Sequence, residues 1–270
     1  MHAATRRHRS DPPMPATSVP AVGSRSPSGG DDDVLWMVAE EVPVAFEYNG
    51  RAHAVMMATP ADLEDFALGF SLCEEIVERP EHIEGVTVRA VDGGVVLDIR
   101  VDPMRLLRGS LRQRSMEGRS GCGLCGVESL ANAVRTPRRV APGFEASAEA
   151  VAAAFAALPD HQPIGRANRS VHAAAWCDPA GNILLAREDV GRHNALDKLA
   201  GALAAAGTDT AGGFALMSSR CSFELVQKAA AIGIPMLATI SAPTALALTL
   251  ARDAGMMLAC RAPGGAVFFR

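Results

Sequence analysis

The sequence predicts an α/β protein (α+β overall) in which a mixed sheet is covered by helices, preceded by a smaller, hairpin-rich α+β part. Three observations carry that reading. From about residue 170 to the end, short apolar runs alternate with helical periodicity, the rhythm of a sheet with crossover helices. Before residue 101, two hairpin signatures flank one amphipathic helix. The 270 residues are 49% hydrophobic and 21% charged, enough to build a core.

The elements follow in order. Residues 1 to 33 are rich in Pro, Ser, Arg and Asp and lack an apolar period, so a disordered tail is expected. An N-terminal part spans 34–135. Val42 to Phe46 reads as a strand, Asn49-Gly50 as a turn and Ala52 to Met57 as the return strand. Thr59 and Pro60 suit the N-cap and first position of a helix over about 60–77, whose apolar face carries Leu63, Phe66, Phe70 and Ile76. Val86 to Val91 and Val95 to Val101 form a second hairpin around Asp92-Gly93. Residues 104–126 read as a mobile basic loop with Arg105, Arg108, Arg112, Arg114 and Arg119, leading to a cysteine pair and then a helix over 127–134. Residues 136–146 are a Pro- and charge-rich linker, and the C-terminal α/β domain occupies 147–270. In that domain Ser147 caps a helix over 148–158. A hairpin turns at Asp178 to Gly181. Helices over 192–205, 222–232 and 243–254 alternate with strands over 213–218, 235–240 and 256–260, and a short strand closes the chain.

Composition removes several function classes. The net charge of -4 excludes a global basic field for nucleic acid. Aromatics at 4% are too few for a base-stacking platform. No uninterrupted apolar run is long enough for a membrane helix. The N-terminus lacks the apolar stretch of a secretory signal, so a cytoplasmic setting with reduced thiols is expected.

Four segments carry chemistry. The strongest is Gly121-Cys122-Gly123-Leu124-Cys125-Gly126. Such a pair can cycle as dithiol and disulfide, supply half a zinc site, or carry sulfur on one nucleophilic thiolate. The upstream arginines and a following helix start favour thiolate over thiol. A structural zinc would require two more ligands, and the other cysteines are scattered. An inert buried pair is the bland alternative. The second segment is Arg187 to Lys198, where Asp189 could cap a helix and Arg192, His193 and Lys198 could meet an anion; a solvated, well-capped helix start explains it equally. The third is Ser218-Ser219-Arg220, with Ser241 to Thr244 one unit later, both at strand ends where open α/β sheets bind ligands. The fourth is Cys260-Arg261-Ala262-Pro263-Gly264-Gly265, small, basic and flexible. Cys73, Cys177 and Cys221 read as packing residues.

Together these motifs resemble the formate dehydrogenase accessory sulfurtransferases, the FdhD family. The resemblance runs from about residue 38 to 265. It rests on Glu40 to Ala45, Thr59 to Phe70, Cys122 to Gly126, His172 to Ala175, Glu188 to Lys198, Ser218 to Lys228 and Ser241 to Thr244, in that order. It implies a cytidine-deaminase-like main domain and a homodimer. It implies transfer of sulfur from a cysteine desulfurase to the molybdenum cofactor, bis-molybdopterin guanine dinucleotide, before insertion into formate dehydrogenase. Cys122 takes the place of the persulfide cysteine and Cys125 that of the supporting thiol. Cys260, Arg261, Ala262, Pro263, Gly264 and Gly265 take that of the cofactor-binding segment. No structural metal, nucleic acid or membrane is implied, and the chain lacks the H-x-E and P-C-x-x-C pattern of zinc deaminases. A non-catalytic cofactor-binding chaperone and a thiol–disulfide oxidoreductase are the alternatives from other classes.

Overall fold

The computed structural model describes residues 12–24, 33–106, 134–142 and 144–270. Cys122 and Cys125 lie outside the described residues, as do all but Val134 of the helix expected over 127–134 and most of the basic loop.

The N-terminal part is a four-stranded sheet of order β4-β3-β6-β5. It is built from β3 (Val42–Tyr48), β4 (Arg51–Ala58), β5 (Ile83–Val91) and β6 (Gly94–Val101). The two hairpins pair antiparallel, and β3 joins β6 in parallel. Val42, Val44, Phe46 and Tyr48 alternate onto one face with Val95, Leu97, Ile99 and Val101. Helix α1 (Leu63–Cys73) covers that face through Leu63, Phe66, Ala67 and Phe70.

The C-terminal sheet has six strands, in the order β12-β11-β10-β9-β7-β8. They are β7 (His172–Cys177), β8 (Ile183–Asp189), β9 (Phe214–Met217), β10 (Met236–Thr239), β11 (Met257–Ala262) and β12 (Gly265–Phe269). β9, β10 and β11 run parallel; β7 is antiparallel to both its neighbours, and β12 to β11. The two-residue period divides the strands between two cores. Ala174, Trp176, Ala215, Met217, Leu237 and Leu258 face one side, against α4 (Arg192–Ala205), α5 (Phe223–Ala231) and α6 (Ala245–Ala254). Ala173, Ala175, Phe214, Leu216, Met236 and Ala238 face the other, against α2 (Ala148–Ala157). The mixed α+β architecture with helix-covered mixed sheets is the one the sequence predicts.

Helices α1 and α4 join the two parts. A Cβ on Gly69 would lie 1.7 Å from the Asp197 carbonyl oxygen, and one on Gly201 1.9 Å from that of Asp65. Only glycine permits so close a crossing.

Two local expectations need correction. The expected tail contains a strand, β1 (Ser18–Ser24), paired antiparallel with β2 (Asp33–Ala39) as a separate ribbon. Its Pro20 is tolerated because the strand has one neighbour only. The ribbon is held to α3 (Pro163–Asn168) by Asn168 Nδ2 donating to Ser18 Oγ at 2.9 Å, and by Arg169 stacking over Trp36. Helix α1 begins at Leu63 with Asp62 at its N-cap, rather than at Thr59-Pro60. Thr59 is committed elsewhere: its N–H donates to Asp189 Oδ2, its hydroxyl accepts from Val190 N–H, and its carbonyl accepts from Lys198 Nζ. Ser147 does cap α2, accepting from Ala150 N–H at 3.1 Å.

Candidate functional site at the carboxyl edge of the six-stranded sheet

The strand directions gather the polar motifs on one edge. β8, β9, β10 and β11 all end there, and antiparallel β7 begins there, with His172 opposite Asp189. Ligands of open α/β sheets bind at this edge.

Part of the Arg187 to Lys198 segment is structural. Lys198 Nζ lies 2.7 Å from Asp189 Oδ2, both side chains fully buried. Lys198 is therefore not available to an anion. Asp189 is not the N-cap of α4; that position is Gly191, whose N–H donates to Asp189 Oδ1 at 2.8 Å. Buried Glu188 accepts from Ile164 and Gly165 N–H at 2.8 Å and so fixes the start of α3. Burial raises its pKa. Arg187 turns to Asp65 at 2.8 Å, tying β8 to α1.

The rest of the segment faces a polar cluster. His193, in the first turn of α4, places Nε2 3.4 Å from Ser222 Oγ and 3.9 Å from Glu224 Oε2. Burial, reinforced by the charges of Arg192 and Lys228, lowers its pKa to about 3. His172 Nδ1 lies 3.4 Å from Ser218 Oγ, and burial with the nearby Arg192 guanidinium lowers its pKa too. Both imidazoles are neutral at pH 7, each able to donate from one ring nitrogen and accept at the other. Arg192 has a buried Nε without a hydrogen-bond partner among the described residues. A buried, unsatisfied donor on a cation is costly and calls for an acceptor. Two hydroxyls, two neutral imidazoles, the Glu224 carboxylate and one guanidinium make a polar cluster, in which Arg192 is the group suited to an anion.

The remaining predicted groups share the edge. Ser219 is buried and donates to the Arg220 carbonyl at 3.0 Å, while Arg220 and Ser241 are exposed. Thr244 caps α6 by accepting from Ala247 N–H. Cys260 to Gly265 is not a flexible loop. Cys260, Arg261 and Ala262 end β11, Pro263-Gly264 make the turn, and Gly265 starts β12, with Ala262 opposite Gly265. Cys260 is buried and Arg261 exposed. The links from His172 to Ser218 and from His193 to Ser222 join residues 46 and 29 positions apart and leave no periodic signal in the sequence; their place at strand ends was the usable clue.

Four cysteines lie among the described residues. Cys73, Cys177, Cys221 and Cys260 are all buried and free. Burial pushes the Cys177 and Cys221 thiols up to about 12 and raises Cys73 well above its ordinary value. Among the described residues no group of three His, Cys, Asp or Glu side chains could hold a metal ion, and no helix is long and apolar enough to cross a membrane.

Comparison with known proteins gives the family. The chain is 51% identical over 234 residues to the sulfur carrier protein FdhD of Xanthomonas euvesicatoria pv. vesicatoria (strain 85-10), covering 87% of this chain and 83% of the relative. It is 50% identical over 221 residues to the sulfur carrier protein FdhD of Bordetella petrii (strain ATCC BAA-461 / DSM 12804 / CCUG 43448), covering 82% and 80%. Its fold matches the crystal structure of a candidate formate dehydrogenase accessory protein from Desulfotalea psychrophila, with a TM-score of 0.72 at 22% identity over 94% of this chain and 97% of that one. The FdhD/NarQ family model matches residues 39–268, and with half the residues shared with its sulfur carrier proteins, this chain belongs to the FdhD/NarQ family.

Proposed function

We propose that this chain is a cytoplasmic sulfurtransferase that carries sulfur on Cys122 from a cysteine desulfurase to bis-molybdopterin guanine dinucleotide, the cargo later inserted into formate dehydrogenase. The Cys122 thiolate attacks the terminal sulfur of the desulfurase persulfide. A new S–S bond forms on Cys122 and the desulfurase thiolate leaves. Cys125 is the supporting thiol. When it attacks the Cys122 sulfur, hydrosulfide departs and the pair is left as a disulfide for an external dithiol to reduce.

The observation that carries the reading is the burial of the four other cysteines. In a chain related to sulfur carrier proteins, Cys122 and Cys125 are then the two left to exchange sulfur. The cargo carries phosphates. Arg192, with its unsatisfied Nε, and exposed Arg220 and Arg261 supply positive partners along one edge, beside the Cys260 to Gly265 hairpin. The deaminase-like fold and homodimeric assembly implied by the family belong to the same proposal.

Intact mass spectrometry after incubation with a cysteine desulfurase and cysteine tests it. One sulfur atom is expected on the wild type and none on Cys122→Ala. Sulfur on neither would overturn carriage and leave a non-catalytic cofactor chaperone as the better reading; sulfur on both would move the carrier away from Cys122.

A further inference from the structure

Helix α1 closes on a strained residue. Glu75 takes the left-handed position past the helix end, at φ 55°. Its N–H donates to the Leu72 carbonyl, and Ile76 N–H donates to the Ser71 carbonyl. Glycine is the usual occupant of such a position, because a Cβ there crowds the backbone. What the Glu75 carboxylate touches is therefore the place to look for its role.

That carboxylate reaches the chain just past the cysteine pair. Glu75 Oε1 accepts from Arg138 Nε at 2.7 Å, and Oε2 lies 3.6 Å from the Arg135 guanidinium. Glu74 accepts from the same guanidinium at 3.1 Å, and Gln227 of α5 donates to the Arg135 carbonyl. Val140 is buried, and its N–H donates to the Ala254 carbonyl at 2.9 Å. Residues 134–140 belong to no helix or strand, yet side chains from the end of α1 and from α5 hold them. Arg135 follows Cys125 by ten positions in the sequence.

The Glu75 contacts are too weak to be there for stability. Its side chain is 33% exposed, that of Arg135 37% and that of Arg138 46%, and water screens such pairs. Contacts this weak do not account for a strained backbone. Glu74 is different, since it also pairs with buried Lys228 at 2.9 Å and so serves the interior. The ion pairs of Glu75 both go to the 134–140 segment.

We propose that Glu75 is a positioning residue for sulfur delivery: it pins Arg135 and Arg138, and so fixes the anchor from which the Cys122 and Cys125 segment is tethered. The inference rests on the sulfur-transfer reading. The effective concentration of a tethered group falls when its tether lengthens or loosens. Loading from a separate desulfurase tolerates a loose tether, whereas delivery to a cargo held by this same chain does not.

Glu75→Gly tests it, because glycine relieves the left-handed strain while removing the carboxylate. Its melting temperature should equal or exceed that of the wild type. Sulfur loading from a cysteine desulfurase and cysteine, read by intact mass, should change by less than about twofold, while delivery slows by more than about threefold. Delivery is read as the rate at which cofactor-free formate dehydrogenase gains activity when given the loaded chain and bis-molybdopterin guanine dinucleotide. Arg138→Ala should share the defect, and Arg138→Lys, which keeps the charge, should recover most of the rate. Both sit at an exposed side chain and carry the test if Glu75→Gly does not fold. Delivery at the wild-type rate by Glu75→Gly or by Arg138→Ala overturns the proposal. So does a lowered melting temperature with loading and delivery slowed alike, the result of a merely structural brace. A wild type that takes up no sulfur overturns the sulfur-transfer reading and this inference together; a wild type that loads, beside variants that deliver normally, overturns this inference alone.

Discussion

Lys198 Nζ and Asp189 Oδ2 sit 2.7 Å apart with both side chains fully buried, and the pair closes the junction between a strand, a helix and the N-terminal part. Asp189 also accepts from the backbone of Thr59 and Gly191 and from Asn194 Nδ2, while Lys198 donates to the Thr59 carbonyl. These bonds offset the desolvation of both charges.

Removing one partner leaves the other charge buried. Lys198→Met is therefore expected to cost about 3–5 kcal/mol in urea unfolding. Asp189→Asn combined with Lys198→Met should cost less than Lys198→Met alone, since no charge is stranded. A loss below about 1 kcal/mol for Lys198→Met would show that the pair is not what holds the junction.

The α1–α4 crossing gives a second expectation. Gly69→Ala or Gly201→Ala places a methyl within 2 Å of a backbone oxygen on the other helix, so the helices must separate. Each is expected to destabilise by more than about 2 kcal/mol, and the double variant by less than the sum, because one displacement relieves both clashes. Gly212→Ala is the control: nothing lies within 4 Å of its Cβ, and its effect should stay within about 0.5 kcal/mol. Thermal unfolding of the four variants, with an unperturbed Gly69→Ala as the contrary result, decides.

Thiol reactivity is the third. Burial holds the Cys73, Cys177 and Cys221 thiols protonated at neutral pH. Brief iodoacetamide treatment of the native protein at pH 7.5, followed by peptide mapping, should leave these three unmodified until denaturant is added. Rapid native labelling of any of them would remove the argument that points to Cys122 and Cys125 by elimination.

The sequence disclosed what rests on period and local chemistry. The Val42–Tyr48 alternation, the Asn49-Gly50 turn with both residues at positive φ, and the Ser147 cap are local. Thr59 misled because its groups serve a partner about 130 positions away, which no local pattern announces. Lys198 misled likewise: a lysine in a charged segment reads as exposed until Asp189 is seen beside it. The ribbon escaped because Pro20 interrupts the short run Ser18–Ser24, and its anchor Asn168 lies 150 positions away, which no local pattern announces. His172 and His193 were visible as residues, but not as a cluster, since topology alone brings β7, α4 and the β9–α5 turn to one edge.

The fourth expectation concerns pH. His193 has a folded pKa of about 3, lowered first by burial, against about 6.5 for an exposed histidine. The unfolded chain therefore binds the extra proton first. Stability from keeping this imidazole neutral is complete above about pH 6.5 and is lost as pH falls toward 3. Asp197 works in the opposite sense. Burial raises it to about 6 in spite of Lys228 at 2.9 Å, so between about 4 and 6 the folded state binds more protons and gains stability as pH falls. In the wild type the two slopes largely cancel between pH 4 and 6. His193→Gln keeps a polar group near Ser222 and removes only the histidine contribution. Its unfolding free energy, followed by urea titration from pH 7 to 4, should then rise relative to wild type by about 1.4 kcal/mol per pH unit of acidification below about 6. Parallel profiles would mean that His193 is already protonated in the folded protein at mildly acidic pH, and the edge would then present two cations, Arg192 and His193, instead of one cation beside a neutral imidazole.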